Sequence, residues 1–190
     1  FFVLKFTTTI KNKKDHPFYK ELKDQKYSLY DFLNQQFVPN FDNMHVRFLC
    51  GDNSMPFGAA NKSHLELAKK NLLNANMLFG ITEMFDESII YLKKELGWTN
   101  PYYSKVNVAK THNLSPTSID SETKEMILKC NQFDLELYQF AKELFVERIK
   151  MLGPDFKKEV DLFKEKNSQI KARLSLRNYF RSFITRFTQG

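Results

Sequence analysis

Between Lys62 and Leu96 the apolar residues change their spacing twice, and this constrains the fold more than any other feature of the chain. From Lys62 to Asn74, Leu65, Ala68, Leu72 and Leu73 recur at helical intervals, with Lys69 and Lys70 on the opposite side. Met77-Leu78-Phe79-Gly80-Ile81 then runs apolar without alternation, the pattern of a short buried strand. Thr82 follows at the strand end, placed to cap a helix over Glu83 to Leu96 whose stripe is Phe85, Ile89, Leu92 and Leu96, with Gly97 as its stop. Helix, buried strand, helix predicts an α/β layer rather than a bundle of helices alone.

The rest of the chain is punctuated by caps and breakers. Phe1-Phe2-Val3-Leu4-Lys5-Phe6 reads as the end of an apolar helix; it lacks the initiator Met and basic start of a signal peptide, so a fragment or processed product is expected. Thr7 to Gln25 is polar and Lys-rich, a solvated loop. Ser28 and Asp31 have capping-box spacing for a short helix through Phe37, stopped before Pro39. His45 to Leu49 reads as a short extended piece and Gly51 to Ala60 as a loop. Trp98 to Thr117 is a long connection, and loops of that length in compact domains are commonly functional or disordered. Helices are predicted from Asp120 to Lys129 and from Phe133 to Lys150. Asn131 and Asp134 form the cap pair of the second, and Leu137, Phe140, Leu144 and Ile149 its inner face. Gly153-Pro154 breaks the chain before a helical stretch over Asp155 to Gln189.

Composition narrows the function. Of 190 residues, 19 are Phe and only 6 Gly and 6 Pro, which excludes collagen, flexible linkers and broad disorder. The longest unbroken apolar runs, such as Ile89-Ile90-Tyr91-Leu92, are far below the ~18–20 residues of a membrane span. A net charge of +7 favours anionic partners: nucleic acid, anionic lipid or an acidic polysaccharide. Cys50 and Cys130 have no metal-ligand spacing; they either pair in an oxidising lumen or stay as buried thiols.

The sharp local motifs of nucleotide-binding loops, zinc proteases and serine hydrolases are absent. His16, His45, His64 and His112 read as surface or satisfied polar residues. Thr82-Glu83 at a helix start is either a cap with a dipole-favoured acid or part of a site. The segment Tyr102-Tyr103-Ser104-Lys105-Val106-Asn107-Val108-Ala109-Lys110-Thr111 offers stacking rings, two ammonium groups and short polar donors, the components of an anionic nucleotide clamp. Arg173, Arg177 and Arg181, four apart among Leu174, Leu176, Phe180 and Phe183, form a basic amphipathic face. It either docks on the core or serves a non-enzymatic polyanion- or membrane-surface-binding module.

The order of several pieces resembles the carbohydrate sulfotransferases that include the heparan sulfate and uronyl 2-O-sulfotransferases. The matching stretches are Phe1 to Phe6, Ser28 to Leu33, Arg47-Phe48-Leu49-Cys50-Gly51, Ala68 to Leu72, Leu78-Phe79-Gly80-Ile81-Thr82-Glu83, and Asn131 to Phe145 with its Asn-x-x-Asp-x-x-Leu-Tyr-x-Phe-Ala pattern. The resemblance implies a P-loop-like α/β sulfotransferase fold, helix-rich in this chain. Residues 1–152 would be the C-terminal portion of that domain and 153–190 a basic helical extension.

The resemblance further implies transfer of a sulfuryl group from 3′-phosphoadenylyl sulfate (PAPS) to a hydroxyl of a glycosaminoglycan-like acceptor, with no metal and no nucleic acid. It places the protein in the Golgi lumen as part of a type II membrane protein anchored upstream. Ser104 to Thr111 take the place of the family's loop that closes over the nucleotide. Donor binding thus falls to Tyr103, Ser104, Lys105, Val106, Asn107, Val108, Lys110 and Thr111, and acceptor binding to Lys5 and Arg47. The family's phosphosulfate loop, catalytic base and 3′-phosphate-gripping Arg and Ser precede the matched region, so no catalytic residue is assigned here. The family's small Cys-bounded loop lacks its second cysteine, which leaves Cys50 without that partner.

Overall fold

The computed structural model describes residues 28–34, 42–103 and 119–170. Their elements are α1 (Leu29–Asn34), α2 (Met44–Cys50), α3 (Lys62–Leu73), a single 3-10 turn (Thr82–Met84), α4 (Phe85–Leu96), α5 (Ser121–Cys130) and α6 (Gln132–Met151). A further helix, α7, runs over 154–170. The chain divides into two units: Phe1–Asn74 with Ala109–Phe140, and Ala75–Val108 with Ala141–Gly190.

Local signals place most helix ends. Ser28 and Asp31 form the predicted capping box. The Ser28 hydroxyl and N–H both donate to the Asp31 carboxylate, at 2.6 and 2.9 Å, and the Asp31 N–H donates back at 3.1 Å. These bonds hold the Asp31 carboxyl below the usual carboxylate range. Asp120 caps α5 by accepting from the Thr123 N–H at 2.7 Å and the Thr123 hydroxyl at 2.8 Å. At the far end of α6, Gly153 takes a left-handed φ of 81°, and Pro154 opens α7.

Three expectations are corrected. His45 to Leu49 is not extended but lies within α2, whose start is satisfied by residues distant in sequence. Met77 to Phe79 are half-buried and Ile81 is buried with an extended backbone, yet the segment forms no strand, and no strand occurs among the described residues. Its polar groups bond to side chains instead of a neighbouring strand. The Ser88 hydroxyl accepts from the Ile81 N–H at 2.8 Å, and Arg148 donates to the Met77 carbonyl at 2.7 Å. The helix after it starts at Phe85 rather than Glu83, and the exposed Thr82 does not cap it. Its buried positions are Ser88, Ile90 and Tyr91, while Phe85 and Leu96 are 44% and 50% exposed.

The described residues of the second unit form an apolar core. Phe145, fully buried, meets Tyr91 edge-on with ring centroids 5.7 Å apart, and Ile81, Ile90, Phe156, Val160 and Phe163 complete the cluster. The described part of the 153–190 stretch therefore packs into this core. In the first unit α2 and α3 lie together, and α1 lies on α5. The Asn71 side-chain amide donates to the Leu49 carbonyl at 2.7 Å across the α2–α3 contact.

Candidate functional site

The donor-binding segment begins at Tyr103, and this residue is strongly held. Its phenol donates to Asp86 at 2.9 Å, and its backbone N–H donates to the buried Asn167 side chain at 3.1 Å. The ring meets Phe85 edge-on at 4.7 Å and leans on Phe163 at 6.3 Å, while Tyr102 stacks on Phe163 at 5.8 Å. Burial first, then the Asp86 carboxylate, pushes the Tyr103 phenol up to about 12. At neutral pH Tyr103 is therefore a hydrogen-bond donor and not a base. Beside it Glu87 is paired with Lys164 at 2.9 Å, so the local carboxylates are partly neutralised. Ser104, Lys105, Val106, Asn107, Val108, Lys110 and Thr111 lie outside the described residues, as do Lys5, Arg173, Arg177 and Arg181.

Gly80 and Ser88 fix the turn that presents Thr82 and Glu83. A Cβ on Gly80 would come within 2.6 Å of the Ser88 Cβ. Only glycine allows Ser88 so close, and the closeness lets one hydroxyl accept from Ile81 N–H and donate to the Met84 carbonyl at 2.7 Å. Thr82 and Glu83 remain exposed on this turn.

Arg47, expected to face an anionic acceptor, is instead an interior residue with 0% exposure. Its Nε donates to the Asp42 carbonyl at 2.7 Å, Nη1 to the Met55 carbonyl at 2.5 Å, and Nη2 to the Asp42 carboxylate at 2.5 Å and the Pro56 carbonyl at 2.8 Å. The other Asp42 oxygen accepts from the Gly58 N–H at 3.2 Å. The guanidinium is thus the post around which the 52–58 loop is wound. Its acceptors are the oxygens of Asp42, Met55 and Pro56, and at 0% exposure it offers a glycan no surface.

Two residues that the periodicity did not single out join α2 to α6. Asn43, in the left-handed region at φ 45°, accepts from the Phe133 and Asp134 N–H groups at 2.9 and 3.1 Å. Asp134 in return accepts from the His45 and Val46 N–H groups at 3.0 and 2.8 Å. Each helix start is capped by a side chain from the other. Asn131, expected to pair with Asp134, accepts from the Asn43 N–H at 3.2 Å and donates to the Ile127 carbonyl at 2.9 Å. The sequence marks Asp134 as a cap but not that it caps α2, and Asn43 is marked only by being an Asx residue at a helix start.

Cys50 and Cys130 are free and half-buried, and burial chiefly raises the Cys130 thiol. Among the described residues no group of metal-ligating side chains is assembled, and no helix is long and apolar enough to cross a membrane.

Comparison with known proteins gives partial matches. The chain is 32% identical over 112 residues to heparan sulfate 2-O-sulfotransferase 1 of Gallus gallus, covering 54% of this chain and 31% of that protein. The Mus musculus protein of the same name is 30% identical over the same length. Heparan-sulfate 6-O-sulfotransferase 2 of Gallus gallus is 34% identical over 123 residues, covering 65% of this chain and 30% of that protein. The chain spans about a third of the length of the curated relatives it matches. No protein-family model matches it, and no solved structure does.

Proposed function

We propose that this chain, heparan sulfate sulfotransferase-like over the matched stretch, is part of an enzyme that sulfates a hydroxyl of a glycosaminoglycan-like glycan. The observation that carries the reading is its comparable identity to proteins named for two different positions, 2-O and 6-O. What those relatives share by name is sulfuryl transfer to heparan sulfate, so the reading commits to the chemistry and leaves the hydroxyl open.

The donor substrate in this reading is PAPS, within a P-loop-like α/β sulfotransferase fold. The acceptor oxygen bonds to sulfur as the bond from sulfur to the nucleotide's phosphate oxygen breaks, and the acceptor's proton passes to a base. As in phosphoryl transfer, the protein contributes alignment and positive charge. Ser104 to Thr111 contact the nucleotide from the root that Tyr103 provides. Lys105 and Lys110 supply the positive charge an anionic donor needs. Lys5 faces the acceptor; Arg47, buried, does not. The intact protein is a Golgi type II membrane protein with this part in the lumen. Because this chain spans only about a third of its relatives' length, the 190 residues alone bind nucleotide weakly and do not turn over.

The test is labelled-sulfate transfer from PAPS to desulfated heparan sulfate by the longest form of the protein. Lys105→Ala and Lys110→Ala should each weaken nucleotide binding about ten-fold or more, the scale of a lost charged hydrogen bond. No transfer, with nucleotide binding unchanged in both variants, would sink the reading. Salt-sensitive binding of heparin that vanishes with Arg173, Arg177 and Arg181 changed to Ala, without transfer, would favour the polyanion-binding module instead.

A further inference from the structure

Asn61-Lys62-Ser63 is an Asn-x-Ser triplet, the acceptor pattern for N-linked glycosylation when the middle residue is not proline. Neither the proposed chemistry nor the core uses it. All three residues are exposed, at the boundary between the 52–60 loop and α3.

The geometry sorts the polar atoms of Asn61 into two sets. Its Oδ1 accepts from the Ser63 N–H at 2.9 Å and the His64 N–H at 3.4 Å, and its backbone N–H donates to His64 Nδ1 at 3.2 Å, completing a capping box. Nδ2, the atom that carries a sugar, has no hydrogen bond to any described residue. Neither has the Ser63 hydroxyl. A glycosylated carboxamide keeps its carbonyl oxygen and one N–H. The cap of α3 therefore survives the modification, and no buried surface is displaced.

We propose that Asn61 is an N-glycosylation site. Its Nδ2 displaces the pyrophosphate of a lipid-linked oligosaccharide: an N–C bond forms at the anomeric carbon, the C–O bond to phosphate breaks, the lipid pyrophosphate leaves with the electron pair, and Nδ2 gives up one proton. The site rests on the lumenal part of the functional reading and on nothing in the sulfuryl-transfer part. Asn113-Leu114-Ser115 is a second triplet, outside the described residues, and serves as the internal comparison.

The experiment expresses the full chain behind a cleavable secretory signal in a eukaryotic cell. A reporter triplet is added at the C-terminus to register entry into the lumen. Peptide N-glycosidase should then convert Asn61 to Asp in the recovered peptide. The corresponding mobility step should be lost in Ser63→Ala, which leaves the cap intact, and in Asn61→Asp, which keeps an oxygen to accept the cap bonds. A glycosylated reporter with bare Asn61, including glycan confined to Asn113, overturns the assignment. If Asn61 is modified here but bare in the protein recovered from its own cell, lumenal residence fails while the acceptor site stands. Activity assays decide the sulfuryl-transfer reading separately.

Discussion

In the first unit the polar Arg47, Asp42 and Thr123 are buried alongside the apolar Val46, Leu65 and Ala68, whereas in the second Phe145 sits among Ile81, Ile90, Tyr91, Phe156, Val160 and Phe163. The first adds buried directional bonds to its apolar contacts. Asn43 and Asp134 cap each other's helices, and Arg47 gathers the oxygens of a loop. The second is organised by area removed from water. Helix length supplies part of the reason, although α3 of the first unit is as long as α4 and buries Leu65, Ala68 and Leu72. At six and seven residues, α1 and α2 are too short to persist on their own or to carry a broad apolar stripe, so their ends must be satisfied one by one. The twelve residues of α4 and the longer α7 present enough face to bury rings.

The largest expected effects set the two mechanisms side by side. Phe145→Ala should cost about 3–5 kcal/mol in chemical denaturation, through lost burial and a cavity. Arg47→Met should cost a similar ~3–5 kcal/mol because Asp42 is left buried and unpaired, and adding Asp42→Leu should recover part of the loss. If the double change is as damaging as the single one, charge pairing is not what the loop depends on.

Gly80→Ala should cost about 1–3 kcal/mol, the scale of an overpacked site, since the new methyl meets a Cβ rather than a flexible tip. A thermal melt unchanged by this substitution would mean that Ser88 can retreat without losing its bonds. Asp134→Ala should cost about 0.5–2 kcal/mol as two N–H groups of α2 lose their acceptor, and Asp134→Asn, which keeps an oxygen, should cost less.

The smallest effect is a dependence on pH. The bond from His45 Nδ1 to Asp134 at 2.9 Å raises the His45 value despite partial burial. A group raised in the folded state stabilises below its unfolded value of about 6.5 and loses that contribution as pH rises through the higher folded value. With the imidazole side chain 75% exposed, the change should stay under about 1 kcal/mol. His45→Gln should flatten the stability profile above pH ~6.5; an unaltered profile would assign the slope to other groups.

Much of the helical framework was readable from residues close in sequence. Ser28 with Asp31, Asp120 before α5, and Gly153-Pro154 between α6 and α7 act within about one turn of where they stand, so spacing alone locates them. The α4 stripe held in its middle, where Ile89 and Leu92 pack against the core, and failed at its ends, where Phe85 and Leu96 are exposed because the core lies toward Ser88, Ile90 and Tyr91. A period gives the width of an apolar face, not its direction.

The candidate site was less legible. Tyr103 was marked as a ring for stacking, yet Asp86 and Asn167, which hold it, lie 17 and 64 residues away. Arg47 shows the same limit from the other side. A lone arginine in a basic chain reads as solvent-facing, and only the fold brings the Met55 and Pro56 carbonyls of the 52–58 loop and the nearby Asp42 around it.

The ends of α1 and α5 and the break between α6 and α7 therefore followed from short-range chemistry written in consecutive residues. The direction of each buried face, the partners of the Met77 to Ile81 segment, the start of α2 and the interior place of Arg47 depended on groups brought together by the fold. A hydrogen bond or a packed ring needs atoms within a few ångströms, and for these residues that proximity exists only after the chain has folded.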